Sequence, residues 1–443
     1  MKFTKMSLVA ALLVGSSAFA IENTKVSGDA KVYYSTKDTQ TSTYGTQNKG
    51  LFDKDNSNAD IAVSLDVTTD LYKADAISIS AGAGITALTT LGLENNFVSG
   101  VWGGSHAAKN LGTNGSTYAA KVENAMWVDE AWVAVTAGKT TVKLGRMELD
   151  TPLAFTETWS IEKNTFEAAV VINQDIPDTT LVGAYVGNGN GNEVFGQGET
   201  NAVAGLGLTA GAVVNENGAF TTYGSDGAYA AGIINNSVEA LTLQAWYYDV
   251  TRVAEAYWLQ ADLNMEGIMA GAQYSYINVN NSVVVNGAKP LTGLSDVNSD
   301  VYALTLGYEM KDMLTAKVSY SDTGKKHSVG FNTATSTGAS KLYTEAWWNY
   351  GYVTAADTQA WNVTLEAQAA GIDLGAYYTD ADQSKTAGDA DLQELTLTAG
   401  KTMGPVNATL AYIYTKANNQ NIKTGATKGS AYNTVQAYLT VNF

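Results

Sequence analysis

The chain ends in YNTVQAYLTVNF, the twelve residues from Tyr432 to Phe443. These residues alternate between an apolar set and a polar set. The apolar set consists of Val435, Ala437, Leu439, Val441 and Phe443. Because successive side chains of a β-strand point to opposite faces, the segment predicts a strand with one apolar face and one polar face. Taken alone, it fits a half-buried strand of a soluble sandwich as well as a strand in a membrane.

The composition excludes several classes of protein. The chain has 443 residues, with 43 glycines, 4 prolines, no cysteine, and 43 acidic against 26 basic residues. Without cysteine there are neither disulfides nor thiolate metal sites. A formal net charge of −17 argues against a nucleic-acid partner, which would require a basic surface.

The first twenty residues, MKFTKMSLVAALLVGSSAFA, have the parts of a secretory signal peptide. Two lysines precede an apolar run over residues 8–14, and a small–x–small triplet closes the segment at 18–20. The apolar run is too short to cross a membrane as a helix. We therefore predict a cleaved Sec-type signal peptide over 1–20 and a single mature domain over 21–443.

Alternating stretches recur along the whole mature chain, and we expect sixteen to eighteen of them to be strands. Their pattern is weakest between residues 190 and 240. The candidate strands are 25–35, 59–69, 76–88, 124–136, 139–147, 165–173, 178–187, 221–235, 238–249, 253–264, 267–279, 300–309, 313–322, 358–369, 372–380, 391–401, 405–416 and 432–443.

Short and long connections largely alternate between these strands. The short ones are only two or three residues, as at 137–138 and 370–371. The long polar ones are 36–58, 89–123, 148–164, 188–220, 280–299, 323–357 and 417–431. This alternation is typical of an outer-membrane barrel with short periplasmic turns and long extracellular loops. We predict an all-β fold, a transmembrane antiparallel up-and-down β-barrel of about eighteen strands, which must close because lipid cannot pair a free sheet edge.

The stretch VDEAWVAVTAGKTTVKLGRMELDTPLAF, which starts at Val128, carries a resemblance to a known family. It has a strand with Asp-Glu-Ala-aromatic, a tight turn, a strand ending in Leu-Gly-Arg, and an Asp-Thr-Pro loop. This segment resembles the OprD-like porins and the related major outer-membrane porins of campylobacter-type bacteria. The resemblance implies an eighteen-stranded barrel, often trimeric, whose third extracellular loop folds inward as a constriction, here over 148–164.

Two further features bear on this resemblance. An alternating last strand with a terminal aromatic is similar to the assembly signal that such barrels present to the insertion machinery, and it assigns that role to Phe443, Val441 and Leu439. OprD-type pores also have a ladder of arginines along one wall. This chain has only Arg146 and Arg252, so it departs from this feature, and the resemblance does not imply that an arginine ladder guides carboxylate substrates.

The hairpin at the start of the motif can be given a register. With a two-residue turn at 137–138, Trp132 lies opposite Lys143 and Asp129 lies opposite Arg146. The apolar parity of both strands is expected to face lipid.

This register places Glu130 in the lumen with Trp132 and Lys143. It turns Asp129 and Arg146 outward, which is costly at the membrane midplane. Either these two lie above the apolar band, or a bulge near Gly145 resets the alternation.

The presumed constriction loop has four acids, Glu148, Asp150, Glu157 and Glu162, against one base, Lys163. They fit an acidic constriction that faces the bases of the hairpin and favours cations. They fit equally well a solvated loop whose acids only keep it soluble. The candidate pore residues are Glu130, Trp132, Lys143, Arg146, Glu148, Asp150, Glu157 and Glu162.

The sequence bears on two other functions, an enzyme and a surface barrel without an open pore. An enzyme would require a base beside a nucleophile, but the only histidines, His106 and His327, fall in long polar loops with no catalytic motif around them. A structural or adhesive surface barrel remains the alternative, although a barrel of this size encloses a channel and no plug domain is recognisable.

The sequence therefore predicts a bacterial outer-membrane porin for passive diffusion of small hydrophilic solutes and ions, with a preference for cations. It requires no cofactor. The expected partners are outer-membrane lipid and lipopolysaccharide, the barrel insertion machinery, small hydrophilic solutes, and other copies of the chain in a homotrimer.

Overall fold

The structure is a computed structural model that describes residues 22–38, 50–93, 97–98, 125–159, 161–191, 213–224, 226–280, 298–311, 313–335, 337–387, 389–417 and 431–443. The predicted signal peptide over 1–20 lies outside the described residues. In the described part, no helix is long and apolar enough to cross a membrane.

Eighteen long strands form one antiparallel sheet. They are β1 (Glu22–Lys37), β2 (Ser57–Lys73), β3 (Ile77–Thr89), β4 (Ala125–Ala137), β5 (Thr140–Met147), β6 (Phe166–Asn173), β7 (Thr179–Gly189), β8 (Ala228–Val238), β9 (Leu241–Val250), β10 (Ala254–Met265), β11 (Ile268–Val279), β12 (Asn298–Met310), β13 (Leu314–Thr323), β14 (Thr358–Ala369), β15 (Ile372–Gln383), β16 (Leu392–Met403), β17 (Val406–Ala417) and β18 (Ala431–Asn442). Smaller elements are the two-residue strands Thr158–Trp159, Glu162–Lys163 and Thr221–Thr222 and the 3₁₀ turns Lys54–Asn56 and Glu216–Gly218.

The sheet closes on itself. Each long strand pairs with the next along the chain, and β18 pairs with β1 from Asp29 opposite Asn442 to Lys37 opposite Thr434. The predicted barrel is confirmed, at the upper end of the expected strand number. The largest difference lies in the segment predicted as 221–235, where only Thr221–Thr222 and then β8 from Ala228 are strands.

The two faces of the strands differ as the alternation predicts. In β18, Leu439 is 41% exposed on the outer face, whereas Gln436 of the opposite parity is fully buried. The same outward exposure recurs around the barrel at Leu144, Leu306 and Leu365. An outer belt of branched apolar side chains is what hydrocarbon requires of a barrel.

The register predicted for the β4–β5 hairpin was wrong. The turn is Gly138–Lys139, so Trp132 lies opposite Gly145 and Ala131 lies opposite Arg146. Gly138 has φ of 59°, which suits a glycine at the first position of a type II′ turn. The two-residue error comes from placing the turn one residue too early.

A bulge does interrupt the alternation, but in β4 rather than near Gly145. The β3–β4 register shifts between Glu130 and Val128, and Asp129 is the extra residue. Both Asp129 and Glu130 therefore point inward, whereas the register between β4 and β5 continues without a shift. Of the two residues predicted to face outward, Asp129 is turned inward by this bulge, whereas Arg146 keeps its outward parity because no bulge occurs near Gly145.

The long connection between β13 and β14 does not remain outside the barrel. Over residues 324–357, side chains such as Val329, Thr344 and Val353 are fully buried. Val329 and Val353 belong to the same buried cluster as inward residues of the wall, among them Trp258 and Ala303. We call this segment the second inward loop, and residues 148–164 the first inward loop.

Candidate functional site

A charged cluster lies where the first inward loop meets the inner wall. Lys163 Nζ donates to Glu130 Oε1 at 3.1 Å and to Glu148. Trp132 Nε1 donates to Glu130 Oε2 at 3.1 Å, and Lys143 Nζ lies 4.2 Å from the Trp132 ring centroid. We call these five residues the Lys163 cluster. It brings together four of the predicted pore residues around a base that was not among them.

Lys163 stays charged in this position. Burial alone would lower the pKa of its ammonium, but the hydrogen bond to Glu148 and the charges of Glu148, Glu130 and Asp129 raise the pKa overall. The loop is therefore fixed to the wall by a permanent ion pair in a partly desolvated setting.

Trp132 can lie flat on the wall because its neighbour on β3 has no side chain. A β-carbon at Gly82 would meet the indole ring at contact distances that no real side chain allows. The glycine therefore leaves space for the ring. The ring face that points away from Gly82 can then contact the Lys143 ammonium.

More carboxylates adjoin the cluster. Asp129 is fully buried and accepts a hydrogen bond from Thr86 Oγ1 at 2.8 Å. The Asp66 and Asp129 carboxylates both face the small space above Gly84, where a β-carbon would lie 2.8 Å from Asp129 Oδ1. This wall, built from β2 to β5, is consequently rich in negative charge.

Both arginines lie away from the inner wall. Arg146 is on the outward parity of β5, where its Nε donates to Glu167 Oε1 at 2.9 Å and its guanidinium lies 4.1 Å from the Phe220 ring centroid. Arg252 pairs with Asp226 at 3.0 Å and is exposed. Because the chain has no other arginine, the inner wall has no arginine ladder.

The remaining predicted loop acids have different surroundings from the Lys163 cluster. Asp150 pairs with Lys341 of the second inward loop. Glu162 is 1% exposed. Glu157 is buried and accepts hydrogen bonds from Asn332 Nδ2 at 2.7 Å, from Thr337 Oγ1 at 2.8 Å and from Thr335.

Glu157 is therefore a link between the two inward loops. Backbone contacts continue the link, since Thr333 N donates to Leu153 O at 2.9 Å and Asn332 Nδ2 donates to Phe155 O at 2.9 Å. The two loops form one internal layer.

The second inward loop is fixed to the wall at several points. Glu394 of β16 accepts hydrogen bonds from the backbone amides of Trp348 at 2.9 Å and Asn349 at 2.8 Å. On another side, Gln273 Nε2 donates to Lys341 O at 2.8 Å, and Tyr343 donates its hydroxyl hydrogen to Asp262. These contacts lie on β10, β11 and β16, so the loop crosses the interior.

Sequence reasoning missed the second inward loop and Lys341, and it named Lys163 as the base of the first loop without including it among the candidate pore residues. One signal was available: the segment AWWNYGYV over 346–353 is far more aromatic and apolar than an exposed loop requires. His327 lies in this loop as predicted, but it is buried, and its Nδ1 lies 3.0 Å from Ser328 O. His106 lies outside the described residues.

Comparison with known proteins gives structural matches only. No protein-family model and no curated protein matches the chain. OccK1 (OpdK) of Pseudomonas aeruginosa superposes with a TM-score of 0.67 at 14% identity, covering 96% of this chain and 99% of its own. OccAB1 of Acinetobacter baumannii gives 0.69 at 12% identity, covering 96% and 98%.

A further structure, Pseudomonas aeruginosa OpdK with vanillate, gives a TM-score of 0.66 at 13% identity and covers 96% of this chain and 99% of its own. These solved structures are OprD/Occ outer-membrane porins. With a closed barrel, an apolar outer belt and full-length superposition on these proteins, the chain has the fold of the OprD/Occ porins of the bacterial outer membrane.

Proposed function

We propose that the chain is a porin that passes small hydrophilic solutes and ions by passive diffusion and prefers cations. The two inward loops form the constriction, and the Lys163 cluster sets its charge. Fold likeness supports a channel, and the charge of the inner face supports its preference.

The observation that carries the cation preference is the balance of charge on the inner face. Inward-facing strand carboxylates include Asp29, Asp60, Asp66, Asp70, Asp129, Glu130, Asp262, Glu309, Glu366, Asp373 and Glu394, and the inward-facing strand lysines include Lys25, Lys31, Lys37, Lys73, Lys143 and Lys317. An excess of one sign in a confined pore raises the local concentration of the opposite ion.

The loop acids add to this balance unequally. Glu148 and Asp150 keep exposed carboxylates beside Lys163 and Lys341. Glu157 and Glu162 are buried, so we propose that they hold the loops in place. Arg146 lies on the outer face, and we assign it no role in the pore.

The structural likeness to OpdK raises the question of anionic solutes, because that protein was solved with vanillate. Vanillate is a carboxylate. Since neither arginine of this chain lies on the inner wall, the residue type best suited to bidentate carboxylate recognition is absent there. We propose that this channel does not favour carboxylates.

The test is the current through refolded mature protein in a planar bilayer under a salt gradient. We expect stable steps and a reversal potential with the sign of a cation-selective pore. An anion-selective reversal potential would keep the channel and refute the role given to the acidic wall.

One observation favours a second candidate, a structural or adhesive surface barrel without an open pore. The second inward loop crosses the interior between Asp262 and Glu394. If folded protein inserts into the bilayer but gives no steps, this second function replaces the first.

The porin fold also argues against an enzyme, and we propose no catalytic residue.

We further propose that the chain contacts lipid and lipopolysaccharide in the membrane and that it forms a homotrimer with two other copies of itself. Phe443 is 61% exposed and closes the seam through two hydrogen bonds with Gly28, at 2.8 and 3.0 Å. With Val441 and Leu439 on the same outer face, it forms the proposed signal to the insertion machinery. Deleting Phe443 is expected to slow assembly in cells and leave the conductance of assembled channels unchanged.

A further inference from the structure

A cavity of about 640 Å³ lies at the short-turn end of the barrel. Its wall consists of the adjacent hairpins β12–β13, β14–β15 and β16–β17, and Trp347 of the second inward loop lies on its lumen side. Its volume falls within the range of small-molecule sites. It is separate from the Lys163 cluster, which lies among β4, β5 and the first inward loop.

Two carboxylates in the cavity wall are held in fixed positions. Tyr377 donates its hydroxyl hydrogen to Glu366 Oε1 at 2.9 Å, and Gln368 Nε2 donates to Asp373 Oδ1 at 2.9 Å. The described residues supply no hydrogen bond to the second oxygen of either carboxylate. The cavity wall includes one base, Lys401, so the two acids leave an excess negative charge.

Aromatic rings form another part of the same wall. Trp347 and Tyr377 lie with ring centroids 6.5 Å apart and planes inclined by 31°. Aromatic faces attract cations, tryptophan most strongly, and a guanidinium group can stack on such a face while it donates two hydrogen bonds to a carboxylate. Tyr377 connects the two parts, since its ring faces Trp347 and its hydroxyl orients Glu366.

We propose that this cavity is a binding site for small organic cations that have an alkylguanidinium or alkylammonium group. The charged group lies between Glu366 and Asp373, and the alkyl part lies along the rings of Trp347 and Tyr377. The inference rests on the proposed channel. In that channel, a solute that has passed the constriction reaches this cavity last, before it leaves toward the periplasm.

The test is a saturation-transfer NMR titration of butylguanidinium with the full mature barrel, folded in detergent at low ionic strength. Butylurea serves as the uncharged probe of nearly the same shape. The double variant Glu366→Gln/Asp373→Asn removes both charges, and we expect roughly tenfold weaker binding of butylguanidinium because charged hydrogen bonds are lost.

Glu309→Gln is the matched control. Glu309 and Glu366 lie level with each other, since both pair with Thr315 on opposite sides of β13, but Glu309 is outside the cavity wall. We expect it to weaken binding much less than the double variant does, because it removes a charge of the inner face but no group of the cavity wall. Trp347→Ala is expected to weaken binding roughly threefold, and Trp347→Phe to restore part of the loss.

The outcomes separate the site from the channel. Tighter binding of butylguanidinium than of butylurea, lost in the double variant and kept in Glu309→Gln, supports the site. Equal binding of the two probes, equal loss in Glu309→Gln, or no binding to folded protein overturns it. Because binding is measured in detergent, bilayer steps without binding refute the site alone, and binding without steps refutes the channel alone.

Discussion

The two inward loops differ in what holds them and in what they present to the lumen. The first is fixed by charge, through Lys163 between Glu130 and Glu148, and keeps exposed carboxylates. The second buries Val329, Thr344 and Val353 and is fixed mainly through hydrogen bonds to its backbone. The comparison suggests a division of roles, in which the first loop sets the charge of the pore and the second sets its width.

The largest effect is expected from shortening the second loop. Replacing residues 329–353 by a short Gly-Ser linker removes the segment that crosses the interior, because the anchors at Glu394 and Gln273 lose their partners. An eighteen-stranded barrel without it leaves a wide channel. We expect single-channel conductance to rise at least roughly twofold.

Heat-modifiable migration and the far-ultraviolet circular dichroism of the shortened protein serve as controls for an intact barrel. An intact barrel with unchanged conductance would mean that the second loop lies outside the permeation path, and the proposed division of roles would fail.

The next largest effect is expected on the ion selectivity of the pore. Lys163→Met leaves Glu130 and Glu148 without their shared base, so the acidic wall should attract cations more strongly. One unit charge at several ångströms in water corresponds to roughly a threefold change in local ion concentration. We expect cation selectivity, measured from the reversal potential, to increase by about that factor with little change in conductance.

Lys139→Met, in the β4–β5 turn, is the matched control because it removes the same charge away from the cluster. Equal shifts from both variants would show that net charge, rather than the position of Lys163, sets selectivity.

A smaller effect is expected where the two loops meet. Glu157→Leu removes the acceptor for Asn332, Thr335 and Thr337 and leaves their donors buried, at a cost of about 1–3 kcal/mol. Hydrogen exchange of the backbone over 331–339 should accelerate. Glu157→Gln keeps one acceptor oxygen and should fall between Leu and wild type; unchanged exchange in Glu157→Leu would refute the link.

The smallest effect concerns pH. Burial raises the pKa of Glu345 in the second loop from 4.5 to about 8, against hydrogen bonds from Ser340 and Ala346 and together with the charge of Glu394. The docked loop therefore keeps a proton that the undocked loop loses, so docking weakens as pH rises from about 4.5 to 8. Above that interval the loss is complete.

We expect open-channel current noise to grow between pH 6 and pH 9 (chosen to bracket the pKa of about 8) as the loop loosens. Glu345→Gln stays neutral, so it should remove this dependence. Noise that rises equally in the variant would assign the effect to other groups.

Strand alternation predicted the barrel well because the outer face meets lipid and the inner face meets water or polar loops. Each long strand has a predicted counterpart, and the weak pattern before β8 coincides with the one clear discrepancy. Register was harder, since Gly138 fits either of two adjacent turns and only one matches the strand twist.

The site was only partly predictable. Glu130, Trp132 and Lys143 could be placed together because their side chains point to the same face of the β4–β5 hairpin. Glu157 could not be assigned to its partners, because Asn332 and Thr337 lie far along the chain and polar loop residues have no periodicity. A bulge was predicted as one alternative, but near Gly145 and not at Asp129, because alternation does not show which residue is extra.

The pairing of β1 with β18 has a consequence for biosynthesis. β1 cannot pair with β18 until all the strands between them have been translated, so this pairing, the most non-local of the fold, forms late. Until then two unpaired sheet edges and an apolar outer belt are exposed to water, which makes the intermediate slow to fold and prone to aggregation. We therefore expect the chain to need protection from aggregation during its passage to the membrane.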